Sequence, residues 1–240
     1  MRQLPTTAVL LAAGRGKRQR PYTDTTPKPL LPVNGRPTLD FVLTSAVNAG
    51  IKTVCLVTHH LGEQIEDYVG DGSAWGLTAV CCHQPQMLGT AHALQTAVSA
   101  FPELFAKERP FLLTATDYIF SPTYLAELVN AYQDSGADMA MSLKQLPEEQ
   151  ILRSSTVRYQ ENGRITQIIE KPTPDQIMSP YSASLTFVLP GAIVDYLPYM
   201  QPSPRGEYEI QHILNQMLDD GLTASGCVQE TPEEWDASKL

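Results

Sequence analysis

The feature that most constrains the fold is an alternation of short apolar runs with amphipathic segments through residues 1–145. Five runs are almost continuously hydrophobic, which predicts strands covered on both faces. They lie at residues 7–13, 53–59, 77–83, 110–116 and 138–144. Four intervening segments have helical spacing, and glycine ends three of them where a helix is expected to stop. They are residues 38–50, 61–70, 90–101 and 122–136. This alternation predicts a doubly wound, mainly parallel α/β sheet.

After residue 145 the sequence favours antiparallel strands. Residues 155–172 have the composition of a hairpin that turns at Asn162-Gly163, a strong short-range turn signal. A strand at 181–190, a helix at 206–221 and a short strand at 224–230 follow. We therefore expect one domain over residues 1–240, in which residues 146–240 form a small antiparallel extension and one side of a pocket.

Composition and charge exclude several classes of protein. The formal net charge is -9, which argues against an extended nucleic-acid-binding surface. No apolar run approaches the roughly 20 residues of a membrane span. The early run AVLLAA is too short for the core of a signal peptide. The four cysteines show no CxxC spacing, which predicts free thiols in a reducing compartment. Together these observations predict a cytoplasmic protein without a membrane partner.

Positive charge is nevertheless concentrated in the loop after the first predicted strand. Five of the 17 Lys and Arg residues fall within fourteen positions of this loop: Arg15, Lys17, Arg18, Arg20 and Lys28. Gly14 and Gly16 allow backbone N–H groups to approach an anion, and ligands bind at the carboxyl ends of strands in such sheets. The pattern predicts a phosphate-binding loop. It is neither a dinucleotide GxGxxG fingerprint, since Gln19 occupies the third glycine position, nor a Walker motif.

The stretch LAAGRGKRQRPYTDTTPKPL resembles the signature of sugar-phosphate nucleotidylyltransferases, L-[AG]-[AG]-G-x-G-T-R-x-x-P-x-T followed by P-K-P. It departs from that signature at Lys17 and Gln19. The resemblance implies transfer of a nucleoside monophosphate from a nucleoside triphosphate to a sugar 1-phosphate, with release of pyrophosphate. It implies that Arg18 grips the triphosphate and that Lys28 draws the acceptor phosphate toward the α-phosphorus. The nucleotide-binding residues that it implies in this loop are Leu11, Ala12, Ala13, Gly14 and Gly16.

A second stretch, HQPQMLGTAHALQTA, resembles the base-recognition segment of uridylyl- and thymidylyltransferases. The amide of Gln84 can pair with a carbonyl and the N3–H of uracil or thymine, so we expect UTP or dTTP as donor. Gly89 is expected to permit close approach of the base, and Thr90 to cap the following helix. For His92, on that helix, we predict a packing role.

Two further stretches resemble the metal and acceptor segments of the family. Asp117 ends the strand at 110–116, where the family's Asp binds Mg²⁺, a cation that prefers oxygen ligands. The segment IIEKP implies that Glu170 accepts hydrogen bonds from sugar hydroxyls and that Lys171 contacts the phosphate. The resemblance weakens near the end, where only EEWDASKL stands for the family's W-x-D-x-G-T segment. Asp236 is our candidate for a second metal ligand, and Glu209 is a weaker one.

Three alternatives remain open from the residues. A cytidylyltransferase for a phosphocholine-like acceptor would share the first loop but read its base differently from Gln84. A non-catalytic nucleotide-binding regulator is favoured by the altered segments near the end, whereas the joint presence of Arg18, Lys28 and Asp117 favours an enzyme. A nicotinamide-dependent dehydrogenase is disfavoured by the missing third glycine.

Overall fold

The computed structural model describes residues 2–235 and 237–239. The strands in this part of the chain are β1 (Thr7–Leu11), β2 (Pro32–Val33), β3 (Arg36–Pro37), β4 (Thr53–Thr58), β5 (Thr78–His83), β6 (Phe111–Ala115), β7 (Tyr118–Ile119), β8 (Met139–Gln145), β9 (Ser155–Tyr159), β10 (Arg164–Glu170), β11 (Tyr181–Leu189), β12 (Ala224–Val228) and β13 (Glu233–Glu234). The α-helices are α1 (Thr38–Asn48), α2 (Gly62–Val69), α3 (Thr90–Ala100), α4 (Tyr124–Ser135), α5 (Glu148–Ile151) and α6 (Ile210–Asp219).

Nine of these strands form the main sheet, in the order β5-β4-β1-β6-β11-β8-β12-β10-β9. The first four are parallel to one another. Strand β11 runs antiparallel to both of its neighbours, β6 and β8. The α/β fold class with a mainly parallel sheet and a smaller antiparallel part is therefore confirmed. The structure adds that β11 lies inside the main sheet and that β12 pairs parallel with β8. At this edge of the sheet, β10 pairs antiparallel with both β12 and β9.

Helices cover both faces of the sheet, as the continuous apolar strands predict. Core residues of α1, α2 and α4 pack on one face, and those of α3 and α6 pack on the other. Leu39 and Leu43 of α1 and Leu94 of α3 are completely buried. Full burial of an aliphatic side chain of this size contributes roughly 1.5–3 kcal/mol each. The core is thus a three-layer arrangement that fixes the ends of the parallel strands.

Helices and strands also end at the glycine and asparagine residues that predict turns in the sequence. Helices α2 and α4 are followed by Gly70 and Gly136, both at positive φ. Between β9 and β10 the chain turns at Asn162-Gly163, where the Arg164 N–H donates to Asn162 Oδ1 at 3.0 Å. These local signals are confirmed because each depends on residues adjacent in sequence.

Three loops meet at one edge of the sheet, because β1, β5 and β6 all run in the same direction. The basic loop follows β1, the segment beginning at Gln84 follows β5, and Asp117 lies just after β6. In the part of the chain that the structure describes, no helix is long and apolar enough to span a membrane.

Candidate active site

The three loops enclose a cavity of about 290 Å³, which we call the first cavity. Its lining residues include Leu11, Ala12, Ala13, Gly14, Lys28, Gln84, Gly89, Thr90, Thr116 and Asp117. Most of the nucleotide-binding residues predicted from the sequence are thus brought together here. Where residues 12–14 of the basic loop line the cavity, they present only backbone and small side chains. The main chain therefore sets the shape of this part of the cavity wall.

The two charged residues at the floor of the first cavity contact each other. Lys28 Nζ donates to Asp117 Oδ2, and these residues are 89 positions apart in the sequence. The Lys28 side chain is only 9% exposed and that of Asp117 is 28% exposed. A cation as buried as Lys28 requires a partner, because an unpaired charge away from water costs several kcal/mol. The pair therefore places the cation predicted to bind phosphate and the carboxylate predicted to bind Mg²⁺ side by side in the cavity.

The basic loop is held in place by contacts of its backbone. Gly16 has φ 59, and a Cβ at this position would lie 2.6 Å from the Thr23 side chain. Thr23 in turn donates its hydroxyl hydrogen bond to the Gly16 carbonyl at 2.8 Å. His60, which precedes α2, has Nε2 at 3.1 Å from the Thr23 carbonyl oxygen. These contacts explain why glycine is needed at Gly16: the loop folds back on itself.

Arg18 lies at a different place from Lys28. Its side chain is exposed, and it lines a second cavity of about 390 Å³ that adjoins the first. The two cavities share the lining residues Thr90, Leu185 and Glu207. A group bound where the cavities meet is therefore accessible to ligands in both.

Gln84 is buried at the side of the first cavity and its amide is oriented by neighbouring groups. Its Nε2 lies 2.9 Å from His92 Nδ1 and 3.3 Å from the Gly89 carbonyl oxygen. The backbone carbonyl oxygen of Gln84 lies 2.7 Å from His59 Nδ1. Burial lowers the pKa of His92, which favours the neutral imidazole that can accept a hydrogen bond from the amide. His92 thus orients Gln84 in addition to the packing role predicted for it.

Gly89 and Thr90 line the first cavity, but two details differ from the sequence prediction. A Cβ on Gly89, which has φ 120, would lie 2.4 Å from the carbonyl oxygen of Tyr208, so this glycine is required by the approach of the protein backbone. Thr90 is the first residue of α3, and this helix has no side-chain cap. The Thr90 hydroxyl instead accepts from the N–H of Ile210 at 2.9 Å. The capping role predicted for Thr90 is therefore wrong: its hydroxyl connects α3 to the start of α6.

The second cavity contains Glu170, the predicted acceptor-binding carboxylate. Glu170 accepts a hydrogen bond from Gln211 Nε2 at 3.0 Å. Burial raises the pKa of Glu170 to about 7, with Arg205 opposing that rise. Lys171, which follows it, has φ 47 and an exposed side chain, and it is not among the residues that line either cavity. The structure therefore brings Glu170 to the second cavity and leaves Lys171 outside it.

Glu209 also lines the second cavity, where its carboxylate is fully engaged. Oε1 accepts from the guanidinium of Arg205, with Nε at 3.0 Å, and from the hydroxyl of Ser203 at 3.0 Å. Glu209 is 6% exposed. Because Oε1 is held by Arg205 and Ser203, Glu209 positions Arg205, and its role as a metal ligand stays a prediction.

The donor set fits a magnesium ion that is shared with phosphate oxygens. Among residues 2–235 and 237–239, no group of three or more His, Cys, Asp and Glu side chains is placed to hold a metal by itself. Mg²⁺ is commonly held by one or two carboxylates together with substrate phosphates and water. Asp117 can supply one such carboxylate. Asp236, the other predicted ligand, lies outside the described residues.

Sequence reasoning missed several residues of the second cavity. They are Lys144, Gln150, Arg153, Arg205 and Glu207. Arg205 stands four residues before Glu209, a spacing at which oppositely charged side chains can meet, and this signal was available from the sequence. The others come from segments whose proximity depends on the sheet order, so no local pattern identifies them.

The last described strand holds this edge of the sheet together. Strand β13 pairs antiparallel with β7, directly after Asp117. Trp235 donates its indole N–H to the Pro32 carbonyl oxygen at 2.8 Å, and its ring lies edge-on to Tyr22 of the basic loop at 5.2 Å between centroids. The end of the chain therefore contacts both the basic loop and the strand next to Asp117.

The mainly parallel sheet carries a glycine-containing basic loop, a buried Lys–Asp pair and two adjoining cavities. This combination is typical of enzymes that bind nucleotides. Residues 7–236 match the Nucleotidyl transferase family model, and the chain belongs to that family.

Two curated relatives come from Haloferax volcanii. The low-salt glycan biosynthesis nucleotidyltransferase Agl11 is 31% identical over 92% of this chain and 60% of its own length. The UTP–glucose-1-phosphate uridylyltransferase AglF is 31% identical over 90% of this chain and 85% of its own length. The chain thus spans less than two thirds of Agl11. A crystal structure of UDP-glucose pyrophosphorylase with UDP-glucose has the same fold, with a TM-score of 0.82 and 22% identity over 97% of this chain and 93% of that one.

Proposed function

We propose that this protein transfers a nucleoside monophosphate from UTP or dTTP to a sugar 1-phosphate, giving a nucleoside diphosphate sugar and pyrophosphate. The observation that carries the proposal is the Lys28–Asp117 pair in a cavity with Gln84 at its side and a second cavity adjoining it. The name of AglF, a UTP–glucose-1-phosphate uridylyltransferase, supports this class of donor and acceptor.

The donor occupies the first cavity in this proposal. Residues 11–16 and Lys28 contact the phosphates, and the oriented amide of Gln84 pairs with the uracil or thymine ring. Residues 1–145 thus supply most of the donor site, and residues 146–240 supply most of the acceptor site. Four residues of the first part of the chain also line the second cavity: Arg18, Thr90, Tyr118 and Lys144.

The reaction requires positioning and charge neutralisation more than covalent help. The acceptor phosphate is an ionised nucleophile, and it must lie in line with the α-phosphorus and the leaving pyrophosphate. Lys28 holds the acceptor oxygen against the α-phosphate, and Arg18, which lines the second cavity, neutralises charge on the phosphates. Asp117, together with Asp236, would hold Mg²⁺, which supplies further charge neutralisation when bound.

Pyrophosphate release tests the proposal. With Mg²⁺ present, each of four nucleoside triphosphates is combined with a panel of sugar 1-phosphates and with phosphocholine. We expect release with UTP or dTTP and a sugar 1-phosphate. Asp117→Asn is expected to lower kcat by about 10²–10³-fold. Asp67→Asn, which makes the same change at an exposed position of α2, is expected to retain wild-type activity.

Two outcomes would contradict the proposal in different ways. Release with CTP and phosphocholine alone would establish the cytidylyltransferase alternative and overturn the assignment of Gln84. Nucleotide binding by calorimetry without release from any combination would establish the regulatory alternative.

A further inference from the structure

The second cavity carries positive charge at a place that the acceptor phosphate does not reach. Lys144 at the end of β8, Gln150 of α5 and Arg153 line one end of it, which we call the outer subsite. Neither Lys144 nor Arg153 forms a salt bridge or a side-chain hydrogen bond within the described residues, and Lys144 is half-buried. Two cations at one end of a cavity without a partner attract an anion.

The sheet register places the outer subsite away from the reacting phosphates. A nucleophilic phosphate must lie where the two cavities meet, and Leu185 marks that place on β11. Lys144 is opposite Ser182 in the β11–β8 ladder. Ser182 precedes Leu185 by three residues, which corresponds to about 10 Å along a strand. This separation leaves room for a sugar ring between a phosphate at the meeting point and Lys144.

Arg153 is held at the same end by its neighbours. The hydroxyl of Ser154, the next residue, lies 2.8 Å from the hydroxyl of Ser182. The Ser155 N–H also donates to the Ser182 hydroxyl, at 3.2 Å. The backbone carrying Arg153 is therefore tied to the strand position that faces Lys144, and the two cations share the outer subsite.

None of the acidic residues that line the second cavity forms an ion pair with Lys144 or Arg153 in the described part of the chain. These acidic residues are Glu170, Glu207, Glu209 and Glu234. Glu209 is paired with Arg205, and Glu207 lies where the cavities meet. Glu170 accepts from Gln211, and Glu234 belongs to β13, which pairs with β7. None lies on the segments that carry Lys144 and Arg153, and the carboxylates of α5 do not line the cavity.

We propose that the outer subsite binds a carboxylate on the acceptor sugar, so that the acceptor is an acidic sugar 1-phosphate. This inference rests on the proposed function and adds the chemical class of its acceptor. The guanidinium of Arg153 can bind a carboxylate through two parallel hydrogen bonds, and the ammonium of Lys144 adds a compact charge. A neutral hexose 1-phosphate would leave both cations without a partner.

Matched acceptors provide the test. Glucose 1-phosphate and glucuronic acid 1-phosphate differ only in the oxidation of C6, and kcat/KM is measured for each with the better of UTP and dTTP. We expect the acid to be favoured by at least about tenfold, the range for a charge-assisted contact. Arg153→Gln and Lys144→Gln are each expected to lower this ratio by about tenfold. Arg158→Gln removes an arginine from the same segment outside the cavity and is expected to keep the wild-type ratio.

The outcomes distinguish a failure of this inference from a failure of the proposed function. Turnover of both sugars with equal or better use of glucose 1-phosphate would overturn the inference and leave the proposed function standing. Preference for glucose 1,6-bisphosphate over the uronic acid would assign the outer subsite to a second phosphate and overturn the carboxylate. Absence of turnover with every acceptor would overturn both. Circular dichroism of the variants establishes that a changed ratio does not come from unfolding.

Discussion

The two cavities are lined by different kinds of groups. The first cavity is lined on its basic-loop side by backbone and small side chains, with Lys28 and Asp117 as a charged pair at its floor. The second cavity is lined mainly by charged and polar side chains that project from separate segments of the chain. Substitutions can therefore change the second cavity while leaving the first intact, because side chains vary more easily than a backbone path.

Replacement of Lys28 is expected to have the largest effect, because it removes the central charge of the first cavity. Lys28→Met leaves Asp117 without its partner and the phosphates without their buried cation. We expect kcat to fall by about 10³-fold, the upper range for the loss of one charge-stabilising donor. Single-turnover kinetics separates this loss from weaker binding. Lys52→Met, which removes an exposed lysine, is expected to have wild-type kcat, and an equal loss there would contradict the special role of Lys28.

Gly89→Ala is expected to disturb both cavities, because it pushes the backbone of Tyr208 away from α3. The new Cβ would lie 2.4 Å from the Tyr208 carbonyl oxygen at a residue with φ 120. We expect the free energy of unfolding to fall by about 2–4 kcal/mol and Tm by about 5–10 °C.

The matched control for that substitution is Gly76→Ala. Gly76 also has positive φ, but no atom lies within 4 Å of its Cβ position. This variant is expected to lose only about 1 kcal/mol from left-handed strain. Equal losses of Tm in the two variants would show that the contact with Tyr208 contributes nothing.

Gln84→Ala is expected to affect the first cavity alone, because Gln84 does not line the second cavity. The variant loses the amide that His92 and the Gly89 carbonyl orient. We expect kcat/KM for UTP or dTTP to fall by about 10–100-fold and discrimination against CTP to weaken, while KM for the acceptor is retained. Gln86→Ala, an exposed position outside the first cavity, serves as the control. An increase in acceptor KM alone would refute the base-recognition assignment.

The smallest expected effect concerns the second cavity and is a pH dependence of stability. Burial raises the pKa of Glu170 to about 7 from an ordinary 4.5, so the folded protein favours the protonated carboxyl. The stability that this preference contributes is present at low pH and is lost as pH rises through about 7. The Tm of Glu170→Gln relative to wild type should therefore increase between about pH 5 and pH 8. A constant difference measured by calorimetry would show that Glu170 ionises normally.

The sequence identified features that depend on neighbouring residues. The nine strands of the main sheet, the four helices of residues 1–145 and the turn at Asn162-Gly163 follow from periodicity and turn chemistry over short stretches. The phosphate loop was also recognisable, because its glycines and basic residues lie within one connection. Lys28 and Asp117 were each proposed individually, but their contact joins residues 89 positions apart and required the structure.

Features that depend on distant segments could not be predicted from the sequence. The requirement for glycine at Gly89 comes from Tyr208, and the hydroxyl of Thr90 bonds to Ile210, 120 residues away. The outer subsite arises because β11 inserts beside β8 and brings Ser182 next to Lys144 and the segment of Arg153. Such proximity is set by strand order, which a helix or strand pattern does not encode.

The contacts of Trp235 also affect when the site can form during synthesis. The indole reaches back to Pro32 and Tyr22, and β13 pairs with β7 next to Asp117. The parallel strands β1, β4, β5 and β6 can associate as soon as residue 115 has emerged from the ribosome. The basic loop, however, acquires its last contacts only after residue 235 has emerged. A nascent chain that is stalled before this point would hold most of its sheet without the contacts of Trp235 to Pro32 and Tyr22.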